Sequence, residues 1–454
     1  MKQPSLPSCD EIRSAGRALR EKTPRSSHAH WQPSARHADV IALLKASEQG
    51  RMARLIPLRY GRMLQSPFTF FRGTAAVMAA DLATTPTSGI RVQSCGDCHV
   101  LNFGVFATPE RRAIFDINDF DETLPAPFEW DVKRLAASFV IAGVNNRLDD
   151  DVCRDAAREV AKAYRESMAD FARMNMLEVW YNRLDAETLI AGLKSAAVRR
   201  SAQARLARER RRDASELFSA YVEKRGARYT LRDQPPLLFH APRTNQNQEW
   251  ANITQSFAQY KQTLQADRRA LLDRYHLMDI AIKVVGIGSV GTYCCVLLLM
   301  AGEGDPLFLQ CKQANASVLE PYAGKSSYRH HGQRVVEGQR MVQTASDLFL
   351  GWTTGQQGRQ FYLRQLRDVK IRPMVETWDA DMLLEGATCW GSSLARAHAR
   401  SGQAGLISGY LGSKDSFDKA IAGFAMAYCE QNQHDYAALA MAVRARKIAI
   451  QQER

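Results

Sequence analysis

Asp97 lies in the segment CGDCHVLNFG, with His99 two residues and Asn102 five residues further on, and Asp119 follows in FDINDFDE after a short apolar stretch. An aspartate, an asparagine five residues on, and a second aspartate at the end of the next strand can carry out phosphoryl transfer. The first aspartate orients the attacking hydroxyl and accepts its proton. The asparagine and the second aspartate offer hard oxygen ligands to Mg2+, which keeps several waters and needs few protein groups. Asp97 and His99 are therefore candidate catalytic residues, and Asn102, Asp119 and Asp121 candidate Mg2+ ligands. Polar turn residues satisfying their own backbone would account for any one of them; the joint spacing argues for chemistry. Residues 95–99 also spell C-x-x-C-H, a haem-attachment signature. Haem attachment requires export, and no second Cys or His pair lies nearby to complete a zinc site.

A second constellation begins at VVGIGSVGT, residues 284–292. Gly286, Gly288, Ser289 and Gly291 fit a G-x-G-x-x-G loop, which dinucleotide-binding folds and kinases share. The hydrophobic run TYCCVLLLM that follows reads as a strand, whereas a dinucleotide fold needs a helix there. Strand, glycine loop, strand is an arrangement that covers a triphosphate with backbone. The next strand, LFLQCKQA, places Lys312 inside apolar surroundings, where an ammonium is costly unless paired. Glu337, on the helix that follows, is the expected carboxylate, with Glu320 the alternative. A lysine snorkelling from an edge strand is the plain competing reading.

The elements that must position these groups divide the chain. Residues 1–36 are rich in Ser, Pro, Arg and His without periodicity and read as a poorly ordered arm. Residues 37–275 read as a helical lobe carrying the catalytic and metal loops. Residues 276–372 form a β-rich nucleotide lobe, and residues 373–454 return to helix. The fold class expected is α+β, two-lobed.

Composition sets outer limits. The 454 residues carry a net charge of +13, and 45% are hydrophobic, enough for a large core. No apolar run reaches membrane-spanning length. Nine unpatterned cysteines and a start without an apolar leader point to reduced thiols and a cytoplasmic location. Basic residues crowd between Arg199 and Arg232. That stretch reads as a solvated helix face near an anion site more readily than as a nucleic-acid patch.

GDCHVLN resembles the G-D-x-H-x-x-N catalytic loop of aminoglycoside phosphotransferases and related small-molecule kinases, and Asp119-Phe120-Asp121 resembles their metal-binding segment. By that match Asp97 is the catalytic base and Asn102 and Asp119 are metal ligands. Trp130-Asp131 is similar to the buried aspartate that braces the loop in those enzymes. His398, in LARAHARSG, is similar to a residue of the helix preceding that loop and reads more readily as packing than as catalysis. Tyr293 stands where protein kinases carry Val, and neither H-R-D nor A-P-E occurs, so a conventional protein kinase is not expected. From about residue 36 onward the chain also resembles a bacterial family catalogued as domain of unknown function 2252. The stretches LRYGRMLQSPFTFFRG, FDINDFDETLPAPFEWDVKRLAAS and RVVEGQRMVQTASDLFLGW carry that likeness. Since Asp97 precedes Gly286, these resemblances imply a protein-kinase-like fold in circularly permuted order. Arg59, Arg62 and Arg72, just before the catalytic loop, are candidates for binding a substrate anion or for scaffold ion pairs.

The reading that follows is an ATP- and Mg2+-dependent phosphotransferase acting on a small-molecule acceptor. Three others stand beside it: nucleotidyl transfer on the same fold, a nucleotide-binding regulator without catalysis, and a nucleic-acid-binding protein using the basic segment. No membrane partner is expected.

Overall fold

A computed structural model describes residues 6–33, 36, 38–211, 214–226, 228–240, 246–366 and 370–452. The chain is α+β, with antiparallel sheets segregated from a helical body. The centre of that body is the helix Phe128–Asn145, buried from Phe128 to Gly143. Such a helix shows no amphipathic stripe, so its polar residues Asp131, Arg134 and Ser138 stand out as groups that must be satisfied inside the protein. Helices Asp150–Phe171, Ala380–Ser401 and Ser416–Arg444 pack around it. Leu135, Phe139, Val160, Tyr164, Leu394 and Phe424 belong to their shared core.

The β-rich part is a six-stranded antiparallel sheet. Its order is Gly351–Thr354, Gln360–Gln365, Asp305–Gln313, Cys294–Gly302, His276–Lys283 and Leu238–Phe239. Lys312 lies opposite Tyr362 on one side and Cys294 on the other. Side chains alternate along a strand, so Lys312 shares a face with Gln310 and Phe308. The other face, with Leu297, Leu309 and Leu363, is covered by Tyr260 and Leu264. A three-stranded sheet joins the two parts, because Lys370–Ile371 pairs with Phe103–Ala107, which pairs with Ala113–Ile117.

Three expectations need correction. Residues 8–33 are not an unstructured arm. Ser8 caps the helix Cys9–Lys22 in a reciprocal capping box, and the helix packs on Ala404–Leu411 through Gly16 and Gly409. Its packed face, Ile12, Gly16 and Leu19, has helical spacing but few apolar residues among many charges. The β-rich block starts before residue 276, since Leu238–Phe239 extends its sheet and the helix Gln246–Gln262 lies against it. It also does not hold everything to residue 372, because Lys370–Ile371 pairs with the loop region of the helical lobe. All nine cysteines are free thiols. Among the described residues no helix is long and apolar enough to cross a membrane.

A candidate active site between the helical body and the long sheet

Asp131 holds the segment 95–102 in shape. Its two carboxylate oxygens accept the backbone N–H groups of Cys95 (2.6 Å) and Gly96 (3.0 Å). His398 Nε2 lies 3.2 Å from the same carboxylate, and its Nδ1 meets the Tyr164 hydroxyl at 2.8 Å. Gly96 has φ +83°, and a Cβ there would lie 2.4 Å from the Glu122 carbonyl. Only glycine lets this segment approach residues 119–122 so closely. One turn beyond Asp131, Arg134 donates through Nε (2.8 Å) and Nη2 (2.5 Å) to Asp97 Oδ1. Burial would raise the Asp97 pKa; Arg134 and Arg72 overcome it and hold the group ionised. His99 has the opposite fate. Burial pushes it down to about 3, and its Nδ1 accepts the Leu101 N–H. A neutral imidazole tied to its own loop shapes the turn and faces Asp97 Oδ2 at 3.7 Å.

Lys312, 3% exposed, finds its counter-charges in this same region. Its Nζ lies 2.6 Å from Asp121 and 3.7 Å from Asp119. Burial alone would lower its pKa, and the two aspartates hold it well above the ordinary lysine value. Neither expected glutamate takes this place. Glu337 pairs with Arg340 on its own helix, and Glu320 lies 3.9 Å from His331. Arg334, not Glu337, faces the site from that helix, donating to the carbonyls of Asp121, Thr123 and Asn315. Asp121 also accepts from Ser289 Oγ (2.9 Å) and Tyr362 Oη (2.6 Å). With its oxygens so engaged, it fits the role of lysine partner and not that of metal ligand.

Asp119 is different. Its Oδ1 accepts the Asp121 N–H at 3.3 Å, and its side chain stays 33% exposed toward the cavity. Asn102 spends Nδ2 on the Asp97 carbonyl, which leaves its oxygen as a ligand atom. One open carboxylate and one amide oxygen suit Mg2+, which takes few protein ligands alongside phosphate and water. Among the described residues there is no group of three or more His, Cys, Asp or Glu able to cage a metal, and thiolate or imidazole chemistry has no framework at Cys95 and Cys98.

The glycine loop meets this constellation directly. Residues 287–289 form a single 3-10 turn and a strand, not a helix, follows Gly291. Gly291 alone of the three loop glycines takes positive φ, +91°. A Cβ on Gly288 would lie 3.9 Å from Asp97 Oδ2 and 3.6 Å from the Arg72 carbonyl. The loop is pinned from the helical side: Arg51 donates to the carbonyls of Gly288 and Val290, Met52 N–H to that of Gly291, and Arg62 to that of Val285.

A cavity of about 740 Å3 opens among these groups, lined by Asp97, Asn102, Asp119, Gly286, Gly288, Ser289 and Lys312. Arginines and lysines outnumber carboxylates along its wall. The three early arginines separate by role. Arg59 is buried and donates to Ser47 and the Gly73 carbonyl. Arg62 secures the glycine loop. Arg72 lines the cavity, with its Nε buried and without a hydrogen-bond partner. From the basic stretch, Arg205 and Arg208 also reach this wall, while Arg210 and Arg225 pair with Glu187 and Glu223. Sequence reasoning missed Arg134, Tyr362, Arg364 and Lys370. Only Arg134 had a readable signal: it stands three residues after Asp131 and so shares its helix face.

A family model described as "Uncharacterized protein conserved in bacteria (DUF2252)" matches residues 51–442, and the chain belongs to that family. No curated protein and no solved structure matches it significantly.

Proposed function

We propose that this protein is an ATP-dependent phosphotransferase, built on a protein-kinase-like arrangement in permuted chain order and acting on a small-molecule acceptor. The observation that carries the reading is the convergence of Asp97, Asp119 and Lys312 with the glycine loop on one cavity, although Asp97 and Gly286 lie far apart in sequence. Lys312 and the loop backbone would receive the triphosphate. Asp119 and Asn102 would hold Mg2+, which would supply charge neutralisation to the phosphate groups. Asp97, kept ionised by Arg134, accepts the acceptor's hydroxyl proton. The hydroxyl oxygen forms a bond to the γ-phosphorus as the bond from that phosphorus to the β,γ-bridging oxygen breaks, and ADP leaves.

Thermal melting with and without Mg–ATP is the first test. A ligand at a hundred times its Kd that binds only the folded state stabilises it by about 2.7 kcal/mol. A raised Tm is expected, together with transfer of label from γ-32P-ATP and not from α-32P-ATP. No shift at millimolar Mg–ATP and no heat in calorimetry would overturn the reading; transfer of the α-label would replace it with nucleotidyl transfer.

A further inference from the structure

Beside Asp97 the cavity wall holds more positive charge than a triphosphate at Lys312 and the glycine loop accounts for. Arg72 buries its Nε without a hydrogen-bond partner. Its neighbouring charges are Arg372 and Arg62 as well as Asp97 and Glu376, and Asp97 is already engaged by Arg134. The Lys370 side chain lines the same wall, and its ammonium makes no hydrogen bond or ion pair among the described residues. It lies close enough to Arg364 and Arg372 to be repelled by both, with Asp119 as the opposing charge. Strand pairing fixes its place, because Lys370–Ile371 is zipped onto Phe103–Ala107, the strand that continues from Asn102. Cations that crowd one another in a partly dry wall are held there at a cost unless an anion joins them.

We propose that Arg72 and Lys370 form an oxyanion subsite for the acceptor, so that the molecule phosphorylated at this site already carries a phosphate or carboxylate group. The inference rests on the phosphotransferase reading for the word acceptor, but not for the subsite. A planar guanidinium fork beside an ammonium matches a compact oxyanion in geometry and charge. Such an anchor beside Asp97 would hold the acceptor's hydroxyl in line with the triphosphate and reject neutral analogues.

The test uses the full chain saturated with Mg2+ and a non-hydrolysable ATP analogue, with inorganic phosphate titrated by calorimetry and acetate in a parallel arm. Phosphate is expected to bind alongside the analogue. Arg72→Gln and Lys370→Gln should each weaken it by about tenfold, the scale of one charge-assisted hydrogen bond, and change analogue affinity by less than about threefold. Arg72→Lys, which keeps the charge and loses the fork, guards against a folding defect and should fall between wild type and Arg72→Gln. Acetate binding that is lost in the same variants would assign a carboxylate-bearing acceptor. If the analogue fails to bind while phosphate binds and responds to the variants, the kinase reading falls and the subsite stands. Phosphate that is displaced by the analogue, fails to bind at millimolar concentration, or is indifferent to the substitutions overturns the proposal.

Discussion

Lys312 and Lys133 are both buried, 3% and 0% exposed, yet their surroundings differ completely. Lys312 ends against Asp121 and Asp119 with the Tyr362 ring 5.6 Å away. Lys133 ends without a hydrogen-bond partner, 4.9 Å from the Phe424 ring centroid, and burial drives its pKa down to about 7 against the pull of Glu129. An ammonium kept charged at a cavity wall is available to phosphate. One pushed toward neutrality inside a helix bundle is scaffold. Depth of burial does not separate the two; the carboxylates do.

The largest effect that would break this contrast is at the carboxylates. Asp97→Asn and Asp119→Asn should each lower turnover about 1,000-fold or more in a γ-phosphate transfer assay, with circular dichroism unchanged; an activity that survives both would place the chemistry elsewhere. Next in size is the lysine itself. Lys312→Met should weaken Mg–ATP binding by about a hundredfold in calorimetry, while Lys133→Met leaves it within about threefold. Equal losses in the two variants would erase the distinction.

Two smaller predictions sharpen it through pH. Glu122 lies at the cavity, where burial raises its pKa from 4.5 to about 7 although Val318 N–H and Arg334 oppose it. A raised carboxyl pKa means that the folded state holds a proton that the unfolded state has released between about pH 4.5 and 7, so stability falls as pH rises through that window. Glu122→Gln should remove the fall and leave the variant about 1–3 kcal/mol more stable at pH 8 in urea titrations. Lys133 has the opposite sign. Its depressed pKa makes the unfolded state bind more protons between about pH 7 and 10.5, so stability rises with pH there. Lys133→Met should therefore stabilise the protein by about 1–2 kcal/mol at pH 6, with the gain shrinking toward pH 10.

What could be read from the sequence was local. The Asp97–Asn102–Asp119 spacing, the glycine loop followed by a strand, and the strand bearing Lys312 are each contained within about thirty residues, and backbone periodicity and turn chemistry act on that scale. The partner of Lys312 was not legible. Glu337 looked right by chain order, but Asp121 reaches the lysine across a separation that only tertiary packing bridges. The same holds for Arg364, which donates to the Asn118 carbonyl, and for Lys370, brought in by a two-residue strand. The stretch 186–217 reads as helical by its spacing, and it is divided into the helices Ala186–Gly192, Ala196–Arg211 and Ala214–Tyr221, because spacing carries no signal for where a helix must turn to meet its neighbour.

Helix Ile56–Met63, which carries Arg59 and Arg62, receives the Gln451 N–H on its Pro57 carbonyl, and a Cβ at Gly61 would collide with the Gln451 carbonyl. Arg36 likewise bridges Asp81 and Asp435. The region that pins the glycine loop is thus itself closed by residues hundreds of positions further along the chain. Residues 51–62 leave the tunnel hundreds of residues ahead of their partners, and loop closure over such a span is entropically slow. The candidate cleft is therefore closed on this side only once residues 435–451 have been synthesised, and until then Arg36 and the helix bearing Arg59 and Arg62 lack these contacts.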